Sequence, residues 1–420
     1  MKNHTEQPGG EAEQSTAYIL PNKVGLVNMN SFMSDKFMFI ELKLLILING
    51  WTGKNISGGD YHILRVMREW IKSHQISVII PLIGFLSCKS FLSDTYKIYL
   101  SSSGTKEIYS FSAIPAYLKR MFKTTILRFK DKPDIIICSS HLLYDTLPGF
   151  IFRLRFRARL AVYVYHIIAE HEADRTGILS KVSIWGEKLS LRIIRYADIV
   201  FVDNEGIKTS LIKMGFESPK IFVSTNAVDY DTIASVRPVG EIRYDGCFCG
   251  RLVKTKGIYD LIQIWKLVTI CYPDAKLVVV GDGPEYTRFS NKIKEAGLGR
   301  NIKLMGFVSE QDKFLTMQRS RIFIFPSYEE GWGIAVAEAI VCGLEVVSYD
   351  LPAYKSFEGH LIKIEKANTR KMADAVVSLF EKGTKDKTAD TRLNKVQAIL
   401  DWKDVANKEM QVIEGHGQAE

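Results

Sequence analysis

The stretch Pro326-Ser-Tyr-Glu-Glu-Gly-Trp-Gly-Ile-Ala-Val-Ala-Glu-Ala-Ile-Val-Cys-Gly343 constrains this chain more than any other. It sets one carboxylate, Glu338, in a helix-length run whose other members, Ile334, Ala335, Val336, Ala337, Ala339, Ile340 and Val341, are apolar. A helix without a polar face belongs in a core. An ionised carboxylate is costly there unless something hydrogen-bonds it, and no Lys or Arg lies within a helical turn of Glu338. The reading therefore gives it a bound ligand as partner. Seven residues separate it from Glu330, in the glycine-flanked loop that feeds the helix. Such a loop offers free backbone N–H groups and the positive end of a helix dipole, which suit a phosphate. Two carboxylates beside an anion site fit a ligand with hydroxyls at both ends and phosphate between, the layout of a nucleotide-sugar.

Apolar strand-like runs alternate with amphipathic helix-length segments along the 420 residues, which predicts an α/β chain with parallel sheets. Strands are expected at Lys43–Asn49, Ile76–Ile80, Asp134–Cys138, Ala161–His166, Ile199–Val202 and Ile221–Val223. A second series is expected at Tyr244–Cys249, Lys276–Val280, Ile302–Met305, Ile322–Phe325 and Glu345–Ser348. Each series makes a doubly wound, Rossmann-like unit, and the break falls in the polar connection Tyr230–Gly240. The expected layout is a disordered tail (1–38), a first domain (39–230), a second domain (231–395) and a C-terminal helix with a frayed end (396–420). Met33 or Met38 is an alternative start.

The net charge of +9 is concentrated, with 17 Lys or Arg against 7 Asp or Glu between Lys54 and Arg159. Two clusters, Tyr117–Lys130 and Phe150–Arg159, interleave basic with large apolar side chains. That mixture suits an anionic lipid surface. An ordinary amphipathic helix with a solvated basic face is the alternative, and no nucleic-acid signature accompanies the charge. No apolar run reaches the length of a membrane span or forms a signal peptide. The expected location is the cytoplasm, with peripheral contact on the inner face of the cell membrane. The six cysteines are scattered, lack a second pair for zinc, and read as buried reduced thiols.

The second half opens with Cys249-Gly-Arg-Leu-Val-Lys-Thr-Lys-Gly257, which presents Arg251 and Lys256 where a strand passes into a helix. Two cations there can neutralise a leaving diphosphate. Gly281-Asp-Gly-Pro284 lacks a third glycine and reads as a tight turn rather than a dinucleotide fingerprint. The succession Gly-Arg-Leu-x-x-x-Lys-Gly, Gly281–Pro284, Gly306-Phe-Val-Ser-Glu310 and Glu-x7-Glu resembles glycosyltransferase family 4, retaining enzymes of the GT-B fold. Fainter similarity extends through Gly58-Gly59, Pro133-Asp134, His166, Ala197-Asp198 and Asn226-Ala-Val-Asp229 to the Trp402 helix.

The resemblance implies two facing Rossmann-like domains, the first binding an acceptor and the second a nucleotide-sugar, with the last helix crossing back onto the first. It implies that Glu338 binds ribose hydroxyls and that Glu330 contacts the transferred sugar near the reacting carbon. Gly331, Trp332, Gly333 and Ile334 would lend backbone N–H groups, while Arg251 and Lys256 hold the diphosphate. Gly59 and His166 would approach the donor from the first domain. No metal or other cofactor is expected, since the two cations would take a metal's place. The sequence departs from the pattern at Ala227, where glycine is usual, at Asn204, where serine is usual, and after His166, where an Asp often follows. The expected activity is transfer of a hexose-type sugar to a glycan or lipid-linked acceptor, in cell-surface polysaccharide or glycoconjugate synthesis. A soluble polysaccharide synthase of the same fold, a non-catalytic nucleotide-binding protein and a nucleotide-sugar epimerase are the rivals.

Overall fold

A computed structural model describes residues 41–415, apart from 52, 54–55, 93, 109–112, 169–177, 237–242 and 384–398. The expected tail at 1–38, the end at 416–420 and the Pro238 part of the domain break lie outside the described residues. In the first half β1 (Lys43–Leu47) leads into α1 (Gly58–Trp70), β2 (Gln75–Pro81) into α2 (Leu82–Cys88), and β3 (Lys97–Ser102) into α3 (Ala113–Thr125). Then come β4 (Ile135–Cys138), α4 (Leu143–Phe156), β5 (Arg159–Val164), α5 (Ile178–Ile194), β6 (Ile199–Val202), α6 (Glu205–Lys213) and β7 (Ile221–Val223). These strands form a parallel sheet in the order β3-β2-β1-β4-β5-β6-β7.

A short helix, α7 (Tyr230–Ser235), leads to the second half. Its elements are β8 (Tyr244–Cys249), α8 (Ile258–Cys271), β9 (Leu277–Val280), α9 (Tyr286–Glu295), β10 (Ile302–Gly306), α10 (Glu310–Gln318), β11 (Ser320–Phe325) and α11 (Ile334–Val341). Then follow β12 (Glu345–Tyr349), β13 (Ile362–Ile364), α12 (Thr369–Glu381) and α13 (Trp402–Glu414). This sheet is also parallel, ordered β10-β9-β8-β11-β12-β13. Strands such as Ile135–Cys138 and Leu277–Val280 are buried at every position, because helices cover both faces of a parallel sheet.

Three sequence readings need correction. The edge strands β3 and β13 are not among the expected strands, because Lys97-Ile-Tyr-Leu-Ser-Ser and a three-residue strand lack the long apolar run of an interior strand. The break reads as an irregular connection in the sequence, yet α7 lies inside it, capped by Asp229 accepting from Thr232 N. Five cysteines are buried as expected, but Cys271 is exposed, at the last position of α8.

Both strand orders reverse beside their first strand, between β1 and β4 and between β8 and β11. Connections diverge to opposite faces at such a point and leave a crevice outside the carboxyl ends. The helix α13 packs on the first half, where Trp402, Val405, Ala406, Met410 and Ile413 join the core of β1, β2 and α1. Trp70 Nε1 donates to Ala406 O at 2.9 Å, fixing α13 against α1.

Candidate active site

In the second half two loops at the β8/β11 reversal are joined by backbone contacts. Tyr328 N donates to Thr255 O at 2.8 Å. Gly257 lies in the left-handed region at φ 67°, and a Cβ there would stand 1.8 Å from Pro326 O, so only glycine lets the loops close. The closure brings Lys256 Nζ to 2.6 Å from Glu330 Oε1, although 74 residues separate them. Neither group is fully buried, so the pair is open to a ligand. Arg251 is exposed, and its side chain makes no ion pair or hydrogen bond among the described residues. A phosphate placed here would meet two cations, one of them uncommitted.

The helix α11 begins at Ile334, after Gly333 at φ 96°. A Cβ on Gly333 would lie 2.7 Å from Tyr354 Cε1. Trp332 is buried with its ring edge-on to Phe357 at 5.0 Å, so its indole packs the loop. The opening amides of α11 have no earlier helical carbonyl to reach. Glu338 is 3% exposed, as an all-apolar helix requires.

Its partner, however, belongs to the protein. Lys313 Nζ of α10 donates to Glu338 Oε1 at 2.6 Å, which corrects the expectation that a ligand alone must satisfy this carboxylate. Burial pushes the Glu338 carboxyl above its ordinary range, and Lys313 opposes the rise. Burial works to lower the Lys313 pKa, but Glu338 and Glu310 more than reverse it. Beside this pair the two halves meet. Arg65 of α1 binds Asp229 at 2.7 Å and also pairs with Glu310, while the Tyr61 hydroxyl donates to Glu310. Lys313 Nζ stands 6.0 Å from the Tyr61 ring centroid.

The first half contributes Gly59 and the ends of β5 and β6. A Cβ on Gly59 would lie 2.5 Å from the Tyr165 ring, and one on Gly331 would lie 2.8 Å from Asp203 Oδ2 and 3.8 Å from Tyr165 O. Gly59 and Gly331 therefore converge on Tyr165 from opposite halves. The neighbouring His166 is exposed, with its ring 5.5 Å from that of His141 and nearly perpendicular to it. His141 in turn binds the buried Glu187 at 2.7 Å.

Behind Asp203 runs a buried polar chain that sequence reasoning missed. Asn226 Nδ2 donates to Asp203 Oδ1 at 2.6 Å, and Asn226 Oδ1 lies 3.2 Å from His62 Nδ1. His62 Nε2 is 2.8 Å from Glu409 Oε1 of α13, whose Oε2 accepts from the Tyr163 hydroxyl at 2.7 Å. With both its partners acting as acceptors, the His62 ring is set up as an imidazolium. Burial works to lower the His62 pKa, but Glu409 raises it further. Five stretches distant in sequence supply this chain, so no local spacing announces it. Polar residues at buried-face positions of amphipathic helices, such as His62 and Glu409, were the available signal. Among the described residues no three His, Cys, Asp or Glu side chains are grouped to hold a metal ion.

Two parallel Rossmann-like sheets with a site at their reversals define the GT-B fold. The solved HepE of Anabaena in complex with UDP and glucose superposes with a TM-score of 0.67 at 15% identity, covering 89% of this chain and 100% of that one. Sucrose-phosphate synthase of Thermosynechococcus elongatus gives a TM-score of 0.71 at 13% identity, covering 89% and 99%. A family model described as Glycosyl transferases group 1 matches residues 239–394, the second half of the chain.

Among curated relatives, an uncharacterized glycosyltransferase of Methanocaldococcus jannaschii is 30% identical over 249 residues, which cover 56% of this chain and 59% of the relative. The poly(glycerol-phosphate) alpha-glucosyltransferase of Bacillus subtilis is 25% identical over 189 residues, 44% of this chain and 27% of the relative. One component of the Arabidopsis thaliana phosphatidylinositol N-acetylglucosaminyltransferase is 30% identical over 151 residues, 36% and 34%. The chain thus spans little more than half of the first relative's length and about a third or less of the other two. These findings support the transferase class, within the glycosyltransferases.

Proposed function

We propose that the chain is a retaining family 4 glycosyltransferase. It moves a hexose-type sugar from a nucleotide-diphosphate-sugar to a glycan or lipid-linked acceptor, in cell-surface polysaccharide or glycoconjugate synthesis. The observation that carries the reading is the Lys256–Glu330 pair, on a loop that also presents the exposed Arg251, at the reversal where such sheets bind ligands. Arg251, Lys256 and the amides of Gly331 to Ile334 take the diphosphate, and Glu330 exchanges its lysine contact for the sugar. The acceptor oxygen bonds to the anomeric carbon as that carbon's bond to the phosphate oxygen breaks. The electron pair leaves on the diphosphate, and the acceptor proton passes to a phosphate oxygen. Charge grows on the diphosphate in the transition state, so these cations act most strongly there. They do so without a metal ion in this reading. His166 and Gly59 approach the donor sugar from the first half, and Glu338 keeps one oxygen on Lys313 and offers the other to the ribose.

A thermal-shift panel of nucleoside diphosphates tests the reading, since a ligand that binds the native state raises its melting temperature. Uridine diphosphate, the ligand of the solved HepE complex, is expected to stabilise the wild type. Glu338→Gln should weaken that effect. A chain stabilised by no nucleoside diphosphate would overturn the reading.

Contact with an anionic membrane belongs to the same proposal. On the outside of the first half, Leu118, Phe122 and Ile126 near α3, Leu154 on α4 and Trp185 on α5 are exposed. Lys119 and Arg155 stand among them. Not all of the basic cluster is available, because Arg120 is buried on the carbonyls of Asn49 and Trp51 and Arg153 pairs with Asp198. No helix among the described residues is long and apolar enough to cross a membrane.

A further inference from the structure

We infer that Asp203 determines which sugar the site accepts, taking a hydroxyl of a neutral hexose on its free Oδ2 and turning away a uronic acid. The inference rests on the nucleotide-sugar reading above. Asp203 is 4% exposed at the carboxyl end of β6, in the half opposite the Glu330 loop. Asn226 holds Oδ1 at 2.6 Å, while Oδ2 makes no hydrogen bond among the described residues. That oxygen points at Gly331, whose missing side chain leaves only 2.8 Å between it and a Cβ position. The neighbouring Asn204 Nδ2 reaches Gly331 O at 3.4 Å, so the end of β6 touches the loop at two points.

Asp203 is largely buried, so its second carboxylate oxygen is poorly hydrated, and a hydroxyl donor offsets that deficit. A sugar lying along Gly331, with its reacting carbon near Glu330, brings ring hydroxyls to this oxygen. The buried Tyr165 hydroxyl has no hydrogen-bond partner among the described residues, so this wall offers a second polar group. Among the described residues no cation bonds Asp203 directly, and the charged partner of the chain is His62 beyond Asn226. A uronate carboxylate in the same place would set two negative charges together where water is scarce, which is strongly unfavourable. Burial pushes the Asp203 carboxyl up to about 6, so it is ionised at pH 7.5.

The test titrates UDP, UDP-glucose and UDP-glucuronate into the wild type, Asp203→Asn and Asp203→Ser at pH 7.5. The wild type should bind UDP-glucose more tightly than UDP-glucuronate. The variants should keep their UDP affinity and lose about tenfold or more of that preference, the scale of a hydrogen bond to a charged group. A preference unchanged in either variant overturns the inference, and so does a wild type that binds UDP but treats both sugars alike. Loss of UDP affinity in both variants would assign Asp203 to holding the loop and would equally overturn it. A wild type blind to all three probes defeats a uridine donor first, and the inference falls with it.

Discussion

Replacing Lys313 by methionine removes the charge opposite Glu338 while keeping an unbranched chain of similar length. The Glu338 side chain is 4% exposed and that of Lys313 20%, so the carboxylate is left almost without water. Breaking a buried pair on one side costs about 3–5 kcal/mol, and the partial exposure of Lys313 places the cost near the lower end, about 3 kcal/mol. For a domain of this size that corresponds to a fall in melting temperature of about 6–12 °C at pH 7.5. The sign of the pH dependence follows from Glu338. Its folded pKa already lies above the ordinary 4.5 through burial, and without Lys313 it rises further. A group with a raised folded pKa binds its proton more tightly in the native state, so the penalty is full above that pKa and fades as pH falls towards 4.5. Calorimetric melting of both proteins between pH 4.5 and 8 is the assay. Lys313→Met should approach the wild type at the acid end, and Lys313→Met/Glu338→Met should recover much of the loss at pH 7.5. A fall of less than about 2 °C, or a deficit that does not shrink in acid, would refute the claim that Lys313 neutralises this carboxylate.

Lys256→Ala and Glu330→Ala should each lower turnover by about 100-fold or more with little change in melting temperature, and near-normal transfer by both would move the reaction elsewhere. Gly257→Ala should cost more than about 2 kcal/mol in urea unfolding, because a left-handed backbone and a Cβ 1.8 Å from Pro326 O cannot both be accommodated. His62 has a folded pKa above the ordinary 6.5, through Glu409. The stability it adds is therefore complete below 6.5 and lost as pH rises through the folded value, and Glu409→Gln should flatten that slope in denaturant titrations. Phe122→Glu with Trp185→Glu should abolish flotation with anionic vesicles; undiminished flotation would remove this face as the membrane contact.

The α/β class and most interior strands could be read from the chain alone, because a strand covered on both faces must be apolar at nearly every position. The burial of Glu338 was legible for the same reason, from seven apolar neighbours on one helix. The edge strands β3 and β13 were not, since an edge relaxes that demand. Partners were harder still. Lys313 lies 25 residues from Glu338, and Lys256 lies 74 from Glu330. Glu409 joins Asp203, Asn226 and His62 only because α13 returns to the first half, bringing Glu409 Oε1 to 2.8 Å from His62 Nε2. Sequence by itself determined which groups must be hidden, since solvation is a property of each residue and its near neighbours. Tertiary structure alone decided what each hidden charge would touch, since that depends on where a parallel sheet reverses and which distant loops its ends bring together.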